Sequence, residues 1–445
     1  MKQFKLFLQL TFIFILIISC SSEDEPQEVK ITVSTEDIAF TINENPENNK
    51  KIGTIYGTTN KGAVTFSILN QQPSNSFTIN SSTGEIFVND KSIYDYETIT
   101  SITGLIRVSN GEIFKESSIT INLNDLVEDI FEGNVTLKTQ EEVNEFGKNR
   151  YKEITGSLEL DLDINDPIVD LTPLNTVEII RASLDISRIE KIKSLEGLNN
   201  ITIIGESLYI FNNPILEDIN ALKKLTVVKR IIISSNPKIN SLECFSNITK
   251  LEGSCSISKN HSLLDVKGLE NIESIGGSLE IDDNKKLNNI FNLSSLKTIN
   301  HIMKIQNNPV LVNLNGLNNL EKINSYMWIL NNSSLFDIDA LENLTYIGIN
   351  KSYINSNDNL QSINLKGLSS VFSLQIANNH KLKNLDGLIN LTSVSDELYL
   401  ASNKILDDFC GIKNLITTSP SVIFKTSNNL YNPTKEDITN GKCSN

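Results

Sequence analysis

The sequence predicts a mainly β protein: a β-sandwich, then a β-solenoid that opens on a short capping helix. Three observations carry that prediction. A motif of the form L-x-I-x-x-N-x-x-L returns between Ser157 and Leu430 at an interval of about 24 residues, within the range of solenoid repeats. Residues 29–125 alternate apolar and polar positions in short runs broken by turn residues, the pattern of a sandwich. Between them, Thr139 and Glu142 form a capping box ahead of an amphipathic stretch.

Taken in order, residues 1–20 begin with Lys2 and Lys5, run apolar from Leu6 to Ile18 and end on Ser19 and Cys20. A basic start and a short hydrophobic centre make a secretory signal rather than a membrane span. The ending resembles a bacterial lipoprotein signal, which implies lipidation of Cys20 as the first mature residue. Residues 21–28 form an acidic tether through Glu23, Asp24 and Glu25. It resembles the export signal by which one group of two-membraned bacteria places lipoproteins on the outer face. An exported, surface-exposed protein lipid-anchored to the outer membrane is therefore expected.

In residues 29–125 the strand candidates are Ile38 to Ile42, Val64 to Ile68, Phe77 to Ile79, Glu85 to Val88, Ile102 to Val108 and Ser117 to Leu123. The series Glu44-Asn45, Gly53-Thr54, Phe77, Ile79-Asn80, Thr83 to Ile86, Val88, Tyr94 to Glu97 and Asn122 to Asp125 resembles a cadherin-like domain. That resemblance implies calcium held by Glu44, Asp95, Glu97 and Asp125. The chemistry suits the ion, because calcium takes six to eight oxygen ligands and needs several carboxylates converging on one point.

Residues 126–156 are read as linker and solenoid cap. Thr139 caps a helix that carries Val143 and Phe146 on one face and stops at Gly147, so that it can cover the open end of the first coil. Residues 157–430 are the solenoid. Each copy has a turn with two inward apolar residues (Leu269 and Ile272, for example) followed by a strand with Leu279 and Ile281 inward and Glu280 and Asp282 outward. Strands from a dozen coils stack into a parallel sheet roughly 50 Å long. The Asn column reads Asn165, then Asn213 to Asn403 through Asn236, Asn260, Asn284, Asn308, Asn332, Asn357 and Asn379, with Ile189 and Ser427 substituting. Stacked Asn side chains are expected to satisfy turn backbone. These features resemble the receptor L domain, the right-handed leucine-rich solenoid that forms ligand-binding lobes in growth-factor receptors and tandem repeats in bacterial surface proteins. Residues 431–445 resemble the C-terminal cap of bacterial members, in which Cys410 and Cys443 would staple the last coil.

Apart from Cys20 there are four cysteines, enough for two disulfides with three connectivities. Local pairing is preferred, with Cys244 to Cys255 inside one coil and Cys410 to Cys443 at the end. The chain carries 54 acidic against 39 basic residues, a formal charge of -15, which argues against nucleic acid as partner because that interaction rests on phosphate neutralisation.

No catalytic pattern appears: the three histidines occupy unrelated repeat positions, and there is no nucleophile elbow, phosphate loop or zinc spacing. A non-enzymatic surface protein that binds a protein or glycan is the expected function. A polysaccharide-degrading enzyme would need paired acids on neighbouring coils, and Glu280 with Asp282 finds none. A purely structural envelope protein is the third reading. The candidate contact patch is Tyr326, Trp328 and Leu330 on one strand beside Tyr353 on the next, where a solvent face predicts polar residues. The outward column through Trp328 is expected to start at Asp161 and end at Ile423.

Overall fold

The computed structural model describes residues 28–126 and 130–445. The signal segment, Cys20 and residues 21–27 of the tether lie outside the described residues. Two compact units divide at Leu126. No helix among the described residues is long and apolar enough to cross a membrane.

The first unit is a sandwich of nine strands: β1 (Val33–Thr35), β2 (Ile38–Asn43), β3 (Lys51–Thr54), β4 (Gly57–Thr59), β5 (Thr65–Gln72), β6 (Phe77–Ile79), β7 (Glu85–Val88), β8 (Ser101–Ser109) and β9 (Phe114–Asn124). One sheet runs β2-β9-β8-β5, the other β3-β7-β6, and β1 pairs with β4 alone. β2 lies parallel to β9, whereas every other pair in the unit is antiparallel. This is an immunoglobulin-like sandwich with its first long strand moved beside its last, in keeping with the expected class. Along β9 the alternation buries Ser117, Ile119, Ile121 and Leu123, and the last three join Phe77, Ile86, Val88, Ile102 and Ile106 in one core cluster. Buried Tyr94 keeps its hydroxyl paired by donating to the Ser76 carbonyl at 2.9 Å.

In the second unit, thirteen parallel strands from Val135–Leu137 to Ile423–Ser427 form one sheet. Strand pairs such as Leu279↔Met303 and Ile281↔Ile305 hold the inward residues in register, coil upon coil. A second, narrow parallel ladder of two-residue strands puts Ile275, Ile299, Ile323 and Ile347 inward. Short 3-10 turns complete most coils and supply further core residues such as Leu293 and Leu341. The helix α1 (Gln140–Lys148) begins as expected: Thr139 accepts from the Glu142 N–H and the Glu142 side chain accepts from the Thr139 N–H. Its Val143 enters the solenoid core, and Phe146 packs at that end with Phe131 and Tyr151.

The Asn ladder is continuous from Asn213 to Asn429. Each Oδ1 accepts from the backbone N–H of the ladder residue one coil earlier, and each Nδ2 donates to a strand carbonyl of that coil; Asn308 accepts from Asn284 at 3.0 Å and donates to Ile281 at 2.9 Å. The residue before each ladder Asn has positive φ, from Asn212 (56°) to Asn428 (57°), so the ladder holds a corner that L-residues enter reluctantly. Both ends differ from the sequence expectation. The last member is Asn429, 26 residues beyond Asn403, and not Ser427. Asn165 is exposed and outside the ladder, because the Asp163 carboxylate organises that turn by accepting from the Asn165 and Asp166 N–H groups.

Cys410 and Cys443 form a disulfide and close the C-terminal cap. Cys244 and Cys255 are free buried thiols, which corrects the expected pairing. Cys255 stands in an inward strand column between Ile231 and Leu279, while Cys244 sits on a 3-10 turn of the same coil. Each fills an aliphatic position in the core, and burial pushes both thiols up, Cys255 to about 12.

Candidate functional site

In the sandwich, three chain segments converge at one end. Glu44 follows β2, Glu97 belongs to the loop after Tyr94, and Asp125 follows β9. One carboxylate oxygen of each lies within 4.8 Å of the others. Glu44 is 2% exposed. Its two oxygens accept from the backbone N–H of Tyr96, at 2.8 Å, and of Leu126. Each oxygen retains a lone pair for a cation.

Glu97 is pushed up to about 7, first by burial and then by the neighbouring charge of Glu44 and a hydrogen bond with Asp95. Asp95, the fourth expected ligand, lies outside the triad: its Oδ1 accepts from the Glu97 N–H at 3.1 Å and its Oδ2 from the Thr98 hydroxyl at 2.8 Å. It shapes the loop that carries Glu97. Three crowded carboxylates, one of them buried, are a donor set that suits a hard divalent cation such as calcium, with carbonyls or water completing the shell.

In the solenoid, Tyr326, Trp328, Leu330 and Tyr353 are half-buried on the outer face of the sheet, as expected. Trp328 is in register with Lys304 on one side and Tyr353 on the other. Its ring centroid lies 5.0 Å from Tyr326 and 5.9 Å, edge-on, from Tyr353. Lys351 Nζ sits 5.7 Å from the Tyr353 ring centroid, within cation–π range. Among the described residues the buried Trp328 Nε1–H has no hydrogen-bond partner, at a cost of about 1–3 kcal/mol. Around the patch, Asp282 receives Gln306, Asn307 and Lys304, and Glu397 receives Lys351 and Lys425.

The outer column through Trp328 begins at Thr136, passes through Glu159 and not Asp161, and ends at Lys425 and not Ile423. Glu159 is in register with Asp185 on the next strand. Acids on neighbouring coils therefore do exist: the sequence column already set an acid, Asp161, beside Asp185, and the structure puts Glu159 in that place. Asp185 is pushed up by burial and then by Glu159 and Asp161, although Ser187 donates to it. Asp161 is held low: burial opposes its charge, but the Leu162 N–H and the Arg188 guanidinium outweigh that.

No family model matches the sequence, and no curated protein does. Among solved structures, the human desmocollin-1 ectodomain is similar at 20% identity over 25% of this chain and 24% of that one, with a TM-score of 0.21. Protocadherin gamma B2 extracellular cadherin domains 3-6 are similar at 20% identity over 22% and 24%, with a TM-score of 0.20. Human protocadherin-24 EC1-2 is similar at 16% identity over 23% and 50%, with a TM-score of 0.18. The chain spans between a quarter and a half of these proteins, and at such scores the class of the first unit rests on its strand order.

Proposed function

We propose that this is a non-enzymatic, exported binding protein, anchored through lipid on Cys20, that uses the outer face of its solenoid sheet for adhesion to a protein or glycan. The observation that carries the reading is the ring cluster of Tyr326, Trp328 and Tyr353. Rings stacked across neighbouring strands offer a flat apolar surface with polar groups at its margin, the composition of a contact hot spot and of a stacking platform for sugar rings. Calcium bound by Glu44, Glu97 and Asp125 would neutralise their mutual repulsion and stiffen the end of the sandwich.

The double variant Trp328→Ala, Tyr353→Ala tests this on glycan and surface-protein arrays, with circular dichroism as control for folding. Loss of the captured signal by about tenfold or more is expected for a hot spot. Unchanged binding would remove the patch from the reading. Labelling with a fatty-acid analogue, lost in Cys20→Ala, tests the anchor. A polysaccharide-cleaving enzyme is the competing reading, and its footing is the pair Glu159 and Asp185; turnover on a polysaccharide panel that disappears in Asp185→Asn would install it instead.

A further inference from the structure

The strand Ile423–Ser427 ends the thirteen-strand sheet and is paired on one side only. In a parallel ladder the N–H and C=O of one residue face the same neighbour, and successive residues alternate sides. The Ser427 carbonyl accepts from the Ser402 N–H at 2.8 Å, so Ile423, Lys425 and Ser427 face the preceding strand. Phe424 and Thr426 therefore present their N–H and C=O groups to the free edge. Among the described residues, no backbone group pairs with them. The C-terminal cap crosses nearby, where the Thr426 hydroxyl donates to the Pro433 carbonyl at 3.3 Å. Pro433 has no N–H and cannot continue the ladder. A groove of about 660 Å³ follows the edge, between residues 424–427 and 432–435, with Tyr399 beside it.

We propose that this edge takes up an extended acidic peptide from a partner protein as an added strand. Main-chain bonding to Phe424 and Thr426 supplies the pairing, as in other strand additions. Charge selects the occupant. The residues lining the groove include Lys425 and Lys435 and no acid; behind it Glu397 is shared by Lys351 at 3.0 Å and Lys425 at 2.7 Å. Lys435 lines the groove with its ammonium donating to the Pro420 carbonyl, and among the described residues no carboxylate pairs with it. The groove lining is therefore cationic on a chain of net charge -15. The same lysines count against a second copy: a two-fold antiparallel pairing of this edge sets Lys425 opposite its own mate, and like charges directly opposite destabilise a sheet.

The test uses the full chain and a fluorescein-labelled Val-Glu-Val-Glu-Val-Glu peptide, read by fluorescence polarisation. Two N-methylated versions block alternate sets of peptide N–H groups. Methylation of the set that faces the edge is expected to weaken binding about tenfold or more, since two hydrogen bonds are lost, while the other set leaves it nearly unchanged. Lys425→Glu with Lys435→Glu is expected to weaken binding to a similar degree, and the corresponding Val-Lys peptide is expected not to bind. No binding of the acidic peptide, or equal loss in both methylation registers, would overturn the proposal. So would concentration-dependent dimerisation through this edge, abolished by Thr426→Pro in sedimentation.

Discussion

A divalent cation at the end of the sandwich makes a prediction about Glu97 that can be worked through quantitatively. Its carboxyl sits at about 7 against an ordinary 4.5, because burial and the neighbouring Glu44 charge disfavour ionisation. An acid with a raised folded pKa binds its extra proton only in the folded state. The resulting stability is fully present below pH 4.5 and is lost as pH rises through 7. At 1.36 kcal/mol per pH unit the gap corresponds to about 3 kcal/mol, reduced to about 1–2 kcal/mol because Glu97 is partly open to solvent and its charge terms are screened. Calcium reverses the sign, since it favours the ionised carboxylate and releases a proton on binding. Saturation at a hundredfold excess over Kd adds about 2.7 kcal/mol. The sandwich is therefore expected to lose roughly 4–16 °C in Tm between pH 5 and 8 without calcium, and to regain it with calcium at pH 8. Carbon-13 titration of the Glu97 carboxyl measures the cause directly, and Glu97→Gln should flatten the pH dependence. A Glu97 that titrates near 4.5 without calcium, or a Tm at pH 8 indifferent to calcium, refutes the reasoning.

Two further predictions concern the solenoid. Asn308→Ala removes the acceptor for the buried Asn284 N–H and the donor for the Ile281 carbonyl, so a loss of about 2–6 kcal/mol is expected in chemical denaturation. Because each coil contacts only its neighbours, the transition should also split; a loss below about 1 kcal/mol would deny the ladder its role. Cys410→Ser opens a link spanning 33 residues, for which chain entropy predicts a loss of about 3–4 kcal/mol, seen as faster hydrogen exchange around Phe409 and Tyr431. Unchanged exchange there would show that the cap closes without its disulfide.

Where the fold was legible, the reason was periodicity. Inward pairs such as Leu198 with Ile201 and Leu388 with Leu391 are fully or almost fully buried, as spacing alone requires. Where it was not, counting and hydrogen bonding diverged. The last coil carries two extra residues between Asn403 and Asn429, so the period lands on Ser427 while the ladder continues two residues later. At the first coil the step from Glu159 to Asp185 is 26 residues, two more than the period, so counting back lands on Asp161 while Asp163 organises the corner. The cysteines misled for a related reason: nearness in sequence brings Cys244 and Cys255 into one coil, but the coil separates turn from strand. Among the acids that the resemblance named, Glu44, Glu97 and Asp125 converge, whereas Asp95 serves the loop, a distinction that depends on which N–H groups its carboxylate meets. Strands β1, β3 and β4 escaped because each carries at most one large apolar residue, whereas β6 and β7, equally short, carry two or more.

The ladder also explains why the outer face can diversify without cost to the fold. Every core column and every Asn-ladder bond lies on the inner side or at the corner, so most outward positions contribute little to register. Trp328, Tyr353, Gln375, Tyr399 and Lys425 stand in one row across successive strands, each step about 4.8 Å. Only its first two members, with Tyr326, stack into a ring cluster; Gln375 interrupts the aromatic character before Tyr399. A ligand held by ring stacking should therefore be confined to the strands around Trp328, and Tyr399→Ala should leave that binding intact while altering the groove at the terminal strand. The two contact surfaces can thus be separated by single substitutions in one row, and a variant at Tyr399 that abolished both would show that they form one site.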